Sequence, residues 1–266
     1  LLEMFGQEVL DRCEVVCHDS RDPATLVDLG VVGAGVPLRL NRRWVEADLR
    51  ISTGFVEPHF FAGFSGGPKM VAPGLAALET VLVLHDARRI AHPRATFGVI
   101  EGNPIHDDIR ACAAAAPPQL AVDVLLDDSQ AITHVFAGEL FTMHREACAA
   151  ARAIAVQSVP RPFDVVVTGN SGYPLDQNLY QSVKGLSAAA RVVRDGGTIV
   201  LASECADGLP EHGLFASLLA AASGPEDLLS TVEGMAETTT DQWQAQILAG
   251  VLTRARVVLY SDGIGS

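Results

Sequence analysis

The stretch FDVVVTGNSGYPLDQNLYQSVKGLSAAARVVRDGGTIVLAS, residues 163–203, decides the fold. It opens on a continuous apolar run, Phe163 to Thr168, and closes on another, Thr198 to Ser203. Between them lie a helical segment, Asp176 to Val193, and a Gly196-Gly197 turn. Two short apolar runs joined by a helix read as parallel strands with a right-handed crossover. Asp176 is the expected helix cap, and Gln177, Tyr180, Gln181 and Lys184 recur at spacings of three and four to make a polar face. Leu179, Val183 and Leu186 take the opposite, buried face. A polar helix face is ordinarily just solvated, but this one starts at the C-terminal edge of a parallel strand, where α/β proteins hold ligands. An amide, a phenol and an ammonium grouped there suit a small carboxylate.

Working outward, Arg254 to Ser261 reads as a third strand. Upstream, Ser158-Val159-Pro160-Arg161-Pro162 is a linker, because two prolines break both regular structures. The chain therefore reads as two α/β domains, 1–160 and 161–266, with mostly parallel, Rossmann-like sheets and an active site in the cleft between them. In the first, a helix to about Asp11 precedes a buried strand at Glu14 to His18 and a turn-rich region containing Gly30, Gly33 and Gly35. Pro37 to Asn41 and Asp48 to Thr53 are short strands. Asn103 and Pro104 start a helix as N-cap and first helical residue, with Asp107 and Asp108 at the positive end of its dipole. A His106-Asp107-Asp108 metal cluster is the lesser reading. Val122 to Leu126 and Ile132 to Phe136 flank Asp127-Asp128-Ser129-Gln130 as a hairpin, and a helix runs from about Phe141 to Ala153.

The strand ending at Thr53 feeds GFVEPHFFAGFSGGPKMVAPGLAALETVLVLHD, residues 54–86. Its glycines and prolines exclude a long helix or central strand. Ser65-Gly66-Gly67 can turn several backbone N–H groups toward one point and admit a phosphate. From about Leu75 the apolar spacing becomes helical and puts His85 near a helix end, away from solvent. Lysine and arginine total 19, and only Lys69 and Lys184 are lysines. Both lie in glycine-containing polar motifs, and lysine offers an amine that can lose its proton and form a covalent bond.

Composition excludes several classes. With 266 residues and 48% hydrophobic residues the chain can bury a core, and a net charge of −13 argues against nucleic acid. No apolar run reaches the length of a membrane span, and the start lacks a basic region with a cleavage site. Five scattered cysteines suit a reducing cytoplasm. Cys13, Cys17 and His18 lack the companions of a metal site. The chain starts without methionine and in mid-helix, and ends just after a strand, so further residues are expected at both ends.

EPHFFAGFSGGPK (57–69), His85, GYPLDQNLYQSVKG (172–185) and DQWQ (241–244) together resemble the nickel-pincer-dependent lactate racemase family, in order and in spacing. The resemblance covers essentially the whole chain. It implies a 2-hydroxy acid racemase or epimerase whose cofactor is a nickel-bearing pyridinium mononucleotide with two sulfur-containing arms, bound covalently at Lys69. By the same resemblance His85 is the nickel ligand and His59 an acid/base catalyst; Ser65, Gly66, Gly67, Tyr180 and Trp243 border the cofactor. Gln181 and Lys184 hold the substrate carboxylate, and cofactor-synthesis proteins are partners. Hydride transfer suits the residue types, because an ordinary histidine is too weak a base to pull a proton from carbon beside a carboxylate. Square-planar coordination suits Ni(II). The family's second acid/base histidine and an arginine-containing motif are expected upstream of Leu1, and His18 and Arg21 do not replace them. Two other classes fit single features: a module binding a phosphorylated metabolite at Ser65–Gly67, and a Schiff-base enzyme using Lys69 or Lys184.

Overall fold

Apolar strands that must bury one face set the architecture. The computed structural model describes residues 2–210 and 213–264; the outermost positions of both expected domains, Leu1 and residues 265–266, lie outside the described residues. The first half runs α1 (Leu2–Arg12), β1 (Leu26–Val32), β2 (Val36–Asn41), α2 (Arg42–Glu46), β3 (Ile51–Phe55), β4 (Pro58–His59), β5 (Gly63–Phe64), α3 (Leu78–Leu84), α4 (Ala87–Ile90), α5 (Pro104–Ala115), β6 (Leu120–Leu126), β7 (Ile132–Gly138) and α6 (Leu140–Ala155). The second runs β8 (Phe163–Thr168), α7 (Leu179–Ala189), β9 (Val193–Ala202), α8 (Phe215–Ala221), α9 (Pro225–Glu233), α10 (Gln242–Leu252) and β10 (Arg256–Tyr260).

The fold is α/β, and parallel pairing dominates the second half. There β10, β9 and β8 form a wholly parallel sheet in that order. In the first half β3 pairs parallel with β6, and the 127–131 hairpin returns β7 antiparallel. The β1–β2 and β4–β5 pairs are small antiparallel ribbons. Asn103 caps α5 as expected, its side chain accepting from the N–H groups of Ile105 and His106.

Five local expectations are corrected. The segment from Glu14 to His18 is no strand: Cys13 and Cys17 are exposed. Side chains hold it, His18 Nε2 meeting Ala76 O at 2.9 Å and the Arg43 guanidinium pairing with Glu14. The region around Gly30 forms β1, whose bulge past Asp28 admits glycine at φ +83°. Leu75–Ala77 do not begin the helix, because Asn41 N–H donates to Leu75 O and Ala77 N–H to Arg39 O, tying this stretch to β2. Gly196 and Gly197 make no turn but lie inside β9. Finally, Asn178 and not Asp176 caps α7, accepting from Gln181 N–H at 3.0 Å; the Asp176 carboxylate instead accepts from Glu204 N–H.

Each half has its own core. Leu38, Leu40, Phe64, Leu84, Ile105 and Leu140 centre the first; Val183, Leu186, Ile199, Leu201, Phe215 and Leu248 centre the second. They meet at α10 and α4. Trp243 and Ile247 of α10 pack on the first core, Ala87 of α4 packs on the second, and Gln246 Nε2 donates to Ala87 O at 2.9 Å.

Candidate active site

The chain reverses sharply between β4 and β5, where His59 pairs with Gly63. Gly63 has φ +83°, and a Cβ there would lie 2.3 Å from Val99 O, so only glycine fits. That reversal points His59, Phe60 and Phe61 inward together. Ser65 N–H then donates to Glu57 O, and a 3₁₀ turn over Gly67–Met70 presents Lys69.

Phe61, 5% exposed, is the hub. Its ring centroid lies 4.5 Å from that of His59, 5.1 Å from that of His85 and 5.9 Å from Lys69 Nζ. His85 in turn packs against Trp243, their ring centroids 4.7 Å apart and the planes tilted by 42°. So the resemblance's tether, metal ligand, acid/base group and one aromatic wall gather around a single ring. The His85 Nδ1 to Val81 O contact at 2.7 Å leaves Nε2 as the nitrogen free to ligate. His59 Nδ1 faces Ala62 N–H at 3.3 Å, so its Nε2 is the nitrogen available to a substrate; both tautomers are assigned from these contacts.

The second half contributes α7 and the start of α10. Lys184 Nζ donates to Gln181 Oε1 at 2.8 Å. Burial, then the negative charge of Asp241, raises the Tyr180 phenol, with the Trp243 indole pulling the other way, and Gln244 Nε2 donates to Tyr180 O at 2.7 Å. Gln177 lies before the helix and is not part of its polar face.

Electrostatics tie the halves together. Burial, then the positive charge of Lys184, lowers the Lys69 amine to about 7. His59 is held well below the usual imidazole range by burial and by Lys69, His85 and Lys184. His85 is lowered to about 4 by burial, with Lys69 assisting against its bond to Val81. Lys184 is lowered by burial, against the pull of Glu57. Glu57 stands exposed at the rim, yet partial burial raises its carboxyl while Lys184 and Lys69 lower it. Both imidazoles are thus neutral near pH 7, and both lysines are poised below their ordinary range.

Beside Lys69 opens a cavity of about 550 Å³, lined by Gly54, Phe55, Ser65, Gly66, Met70 and Val81 among others. The expected phosphate cradle is largely committed elsewhere. Ser65 N–H goes to Glu57 O, Gly67 N–H to Asp123 Oδ2, and Ser65 Oγ donates to Phe55 O while accepting from Glu57 N–H. Ser65 and Gly66 border the cavity; Gly67 is packed behind it. Away from this site, Asp108 of the 106–108 triplet is ion-paired with Arg89, and no metal-holding group of three or more His, Cys, Asp or Glu occurs among the described residues. No described helix is long and apolar enough to cross a membrane.

Comparison with known proteins draws on both halves. Residues 1–98 match the lactate racemase N-terminal domain and residues 158–265 the lactate racemase C-terminal domain. The chain belongs to the lactate racemase family. It is 41% identical to the lactate racemase of Thermoanaerobacterium thermosaccharolyticum over 97% of its own length and 61% of the relative's. To that of Lactiplantibacillus plantarum it is 37% identical, over 98% and 62%. The apoprotein structure of the Thermoanaerobacterium lactate racemase superposes with a TM-score of 0.95 at 40% identity, covering 98% of this chain and 63% of that one. A Thermotoga maritima crystal structure, 17% identical with a TM-score of 0.68 over 92% and 67% of the two chains, shares the fold alone. The chain spans about three fifths of the length of the lactate racemases it matches.

Sequence reasoning missed Phe61, Glu57, Asp241 and Asp123. Asp123 left a signal: it occupies the inward phase of β6 between buried Ala121 and Leu125, where an apolar residue belongs. Phe61 left none, because a phenylalanine in a turn looks like any core residue.

Proposed function

We propose that this chain carries the tether, metal ligand and substrate clamp of an isomerase that inverts the α-carbon of a small, lactate-like 2-hydroxy acid. One observation carries it: Lys69, His59 and His85 surround Phe61 at the boundary where the other half brings Trp243. Residues 1–160 form the cofactor domain and 161–266 the substrate domain, in the cytoplasm, with cofactor-synthesis proteins as partners.

A nickel pincer nucleotide fits the residues present. A largely apolar cavity of about 550 Å³, whose lining includes Lys69 but neither His59 nor His85, adjoins an amine that burial lowers to about 7, which favours covalent attachment. Lys69 is the attachment point, His85 Nε2 the ligand, and Ser65 and Gly66 line the space for the ring and phosphate. When bound, the group supplies an acceptor for the α-hydrogen. The chain's own residues do the rest. Lys184, fixed by Gln181, grips the substrate carboxylate; Tyr180 and Trp243 exclude water; His59 Nε2 exchanges the hydroxyl proton. His59 must be neutral to take up the hydroxyl proton, and its burial together with the charge of Lys184 favours that form.

Co-expression with the cofactor-synthesis proteins tests the reading. Intact mass is expected to rise at the Lys69 peptide with nickel bound in equal amount, and both are expected to vanish in Lys69→Arg. An unmodified Lys69 with no nickel overturns the proposal. The low pKa of Lys69 also favours a second reading, imine formation with a keto acid. Borohydride trapping with pyruvate separates the two: a trapped adduct at Lys69 supports the imine, and none removes it.

A further inference from the structure

Behind the Lys69 turn, two buried polar side chains that the proposed reaction does not use meet consecutive parts of one loop. Asp123 of β6 is fully buried, and its Oδ2 accepts from Gly67 N–H at 2.6 Å. His144 of α6, 2% exposed, reaches Ser65 O through Nε2 at 2.9 Å. The turn is shaped to receive both. Gly66 and Gly67 have φ of +68° and +49°; a Cβ at Gly66 would lie 2.8 Å from Asp123 Oδ2, and one at Gly67 would lie 2.3 Å from the His144 ring. An acceptor and a donor therefore hold opposite ends of a turn that leads, two residues on, to Lys69. His106 stacks on His144, their ring centroids 6.0 Å apart.

We propose that Asp123 and His144 are positioning residues that grip the Ser65–Gly67 turn from behind and so aim the Lys69 amine into the cavity. This rests on the reading of Lys69 as the attachment point. Nothing else in the turn can do it: Ser65 Oγ is spent on Phe55 O and Glu57 N–H, and Gly66 and Gly67 carry no side chains. Burial raises the Asp123 carboxyl, against the bond from Gly67 N–H, and lowers the His144 imidazole to about 4, so the imidazole is neutral at pH 7.

The chain's two lysines make the test internal. Cofactor-free protein is treated at pH 7 with an amine-acylating reagent, and labelling of Lys69 relative to Lys184 is read by peptide mass. In Asp123→Ala the turn loosens and water reaches the amine; an amine at 8 rather than 7 is uncharged about fivefold less often at pH 7, so the ratio is expected to fall about fivefold or more. Asp123→Asn keeps the acceptor and is expected to restore the ratio; His144→Phe loses the donor and is expected to lower it, and His144→Gln to recover it. An unchanged ratio in Asp123→Ala overturns the brace while leaving the attachment reading intact. Wild-type Lys69 no more reactive than Lys184 counts against the attachment reading instead. Should the variants fail to fold, amide exchange in the wild type decides the brace: Gly67 N–H is expected to be protected, and exchange as fast as that of the exposed 127–131 turn overturns it.

Discussion

At the scale of single residues, Phe61 carries more of the site than any residue with chemistry of its own. Its ring packs among His59, His85 and Lys69, where it takes the place of water, and desolvation is the first cause of every lowered pKa among them. Phe61→Ala is expected to cost about 3 to 5 kcal/mol of stability, and Phe61→Leu much less. Chemical denaturation checks both, and equal losses would remove the hub. Lys69 makes a pH-dependent prediction. Its folded pKa is depressed from 10.5 to about 7, so between those values the unfolded chain binds more protons and stability rises with pH. That gain is complete above about 10.5 and lost as pH falls through about 7. Lys69→Met abolishes this slope, and pH-resolved denaturation of the two proteins measures it.

At the scale of elements, α7 and α10 deliver the second half's groups, and their ends were the least legible part of the sequence. The apolar spacing of Val183 and Leu186 located α7, but Asp176 and Asn178 are equally good caps on paper. Only the fold decides, because the Asp176 carboxylate is drawn away to Glu204 N–H across the strand ends. Likewise nothing local marks Leu75–Ala77 as paired to β2 or Gly30 as lying in a bulged strand; both depend on partners distant in the chain. The motif residues were legible for the opposite reason, since their chemistry is unusual wherever it stands. Asn178→Ala is expected to cost about 1 kcal/mol and to weaken carboxylate binding through Gln181 and Lys184. Asp176→Ala leaves the helix start intact, and amide exchange at Gln181 distinguishes the two. Gln246→Leu removes the hydrogen bond from α10 to Ala87 while keeping bulk; it is expected to loosen the junction beside His85, read as faster amide exchange across residues 85–90.

At the scale of the whole molecule, the two sheets have the same unbalanced exposure. On the second sheet the rows Val165–Thr198–Arg256 and Val167–Val200–Val258 share the face opposite to Ile199 and Leu201, with Tyr260 beyond them. Val165 is 57% exposed, Val167 74% and Tyr260 69%, whereas Ile199 and Leu201 are fully buried in the core that α7 and α10 share with the sheet. On the first sheet Ile51, Phe55, Leu120 and Val135 stand on the open side, opposite to buried Ala121, Asp123 and Leu125. A parallel sheet is ordinarily covered on both faces, and a continuous apolar patch in water favours association. The net charge of −13 opposes it only at low ionic strength, because salt screens repulsion beyond about 10 Å at 0.1 M. These 266 residues, expressed alone, are therefore expected to bind a hydrophobic dye and to self-associate increasingly as salt is raised. The triple variant Val165→Thr, Val167→Thr and Tyr260→Thr is expected to reduce both while shifting stability little, as exposed substitutions do. Light scattering against salt concentration decides it. Association that weakens with salt, or persists unchanged in the triple variant, assigns the contact to charges or to another surface.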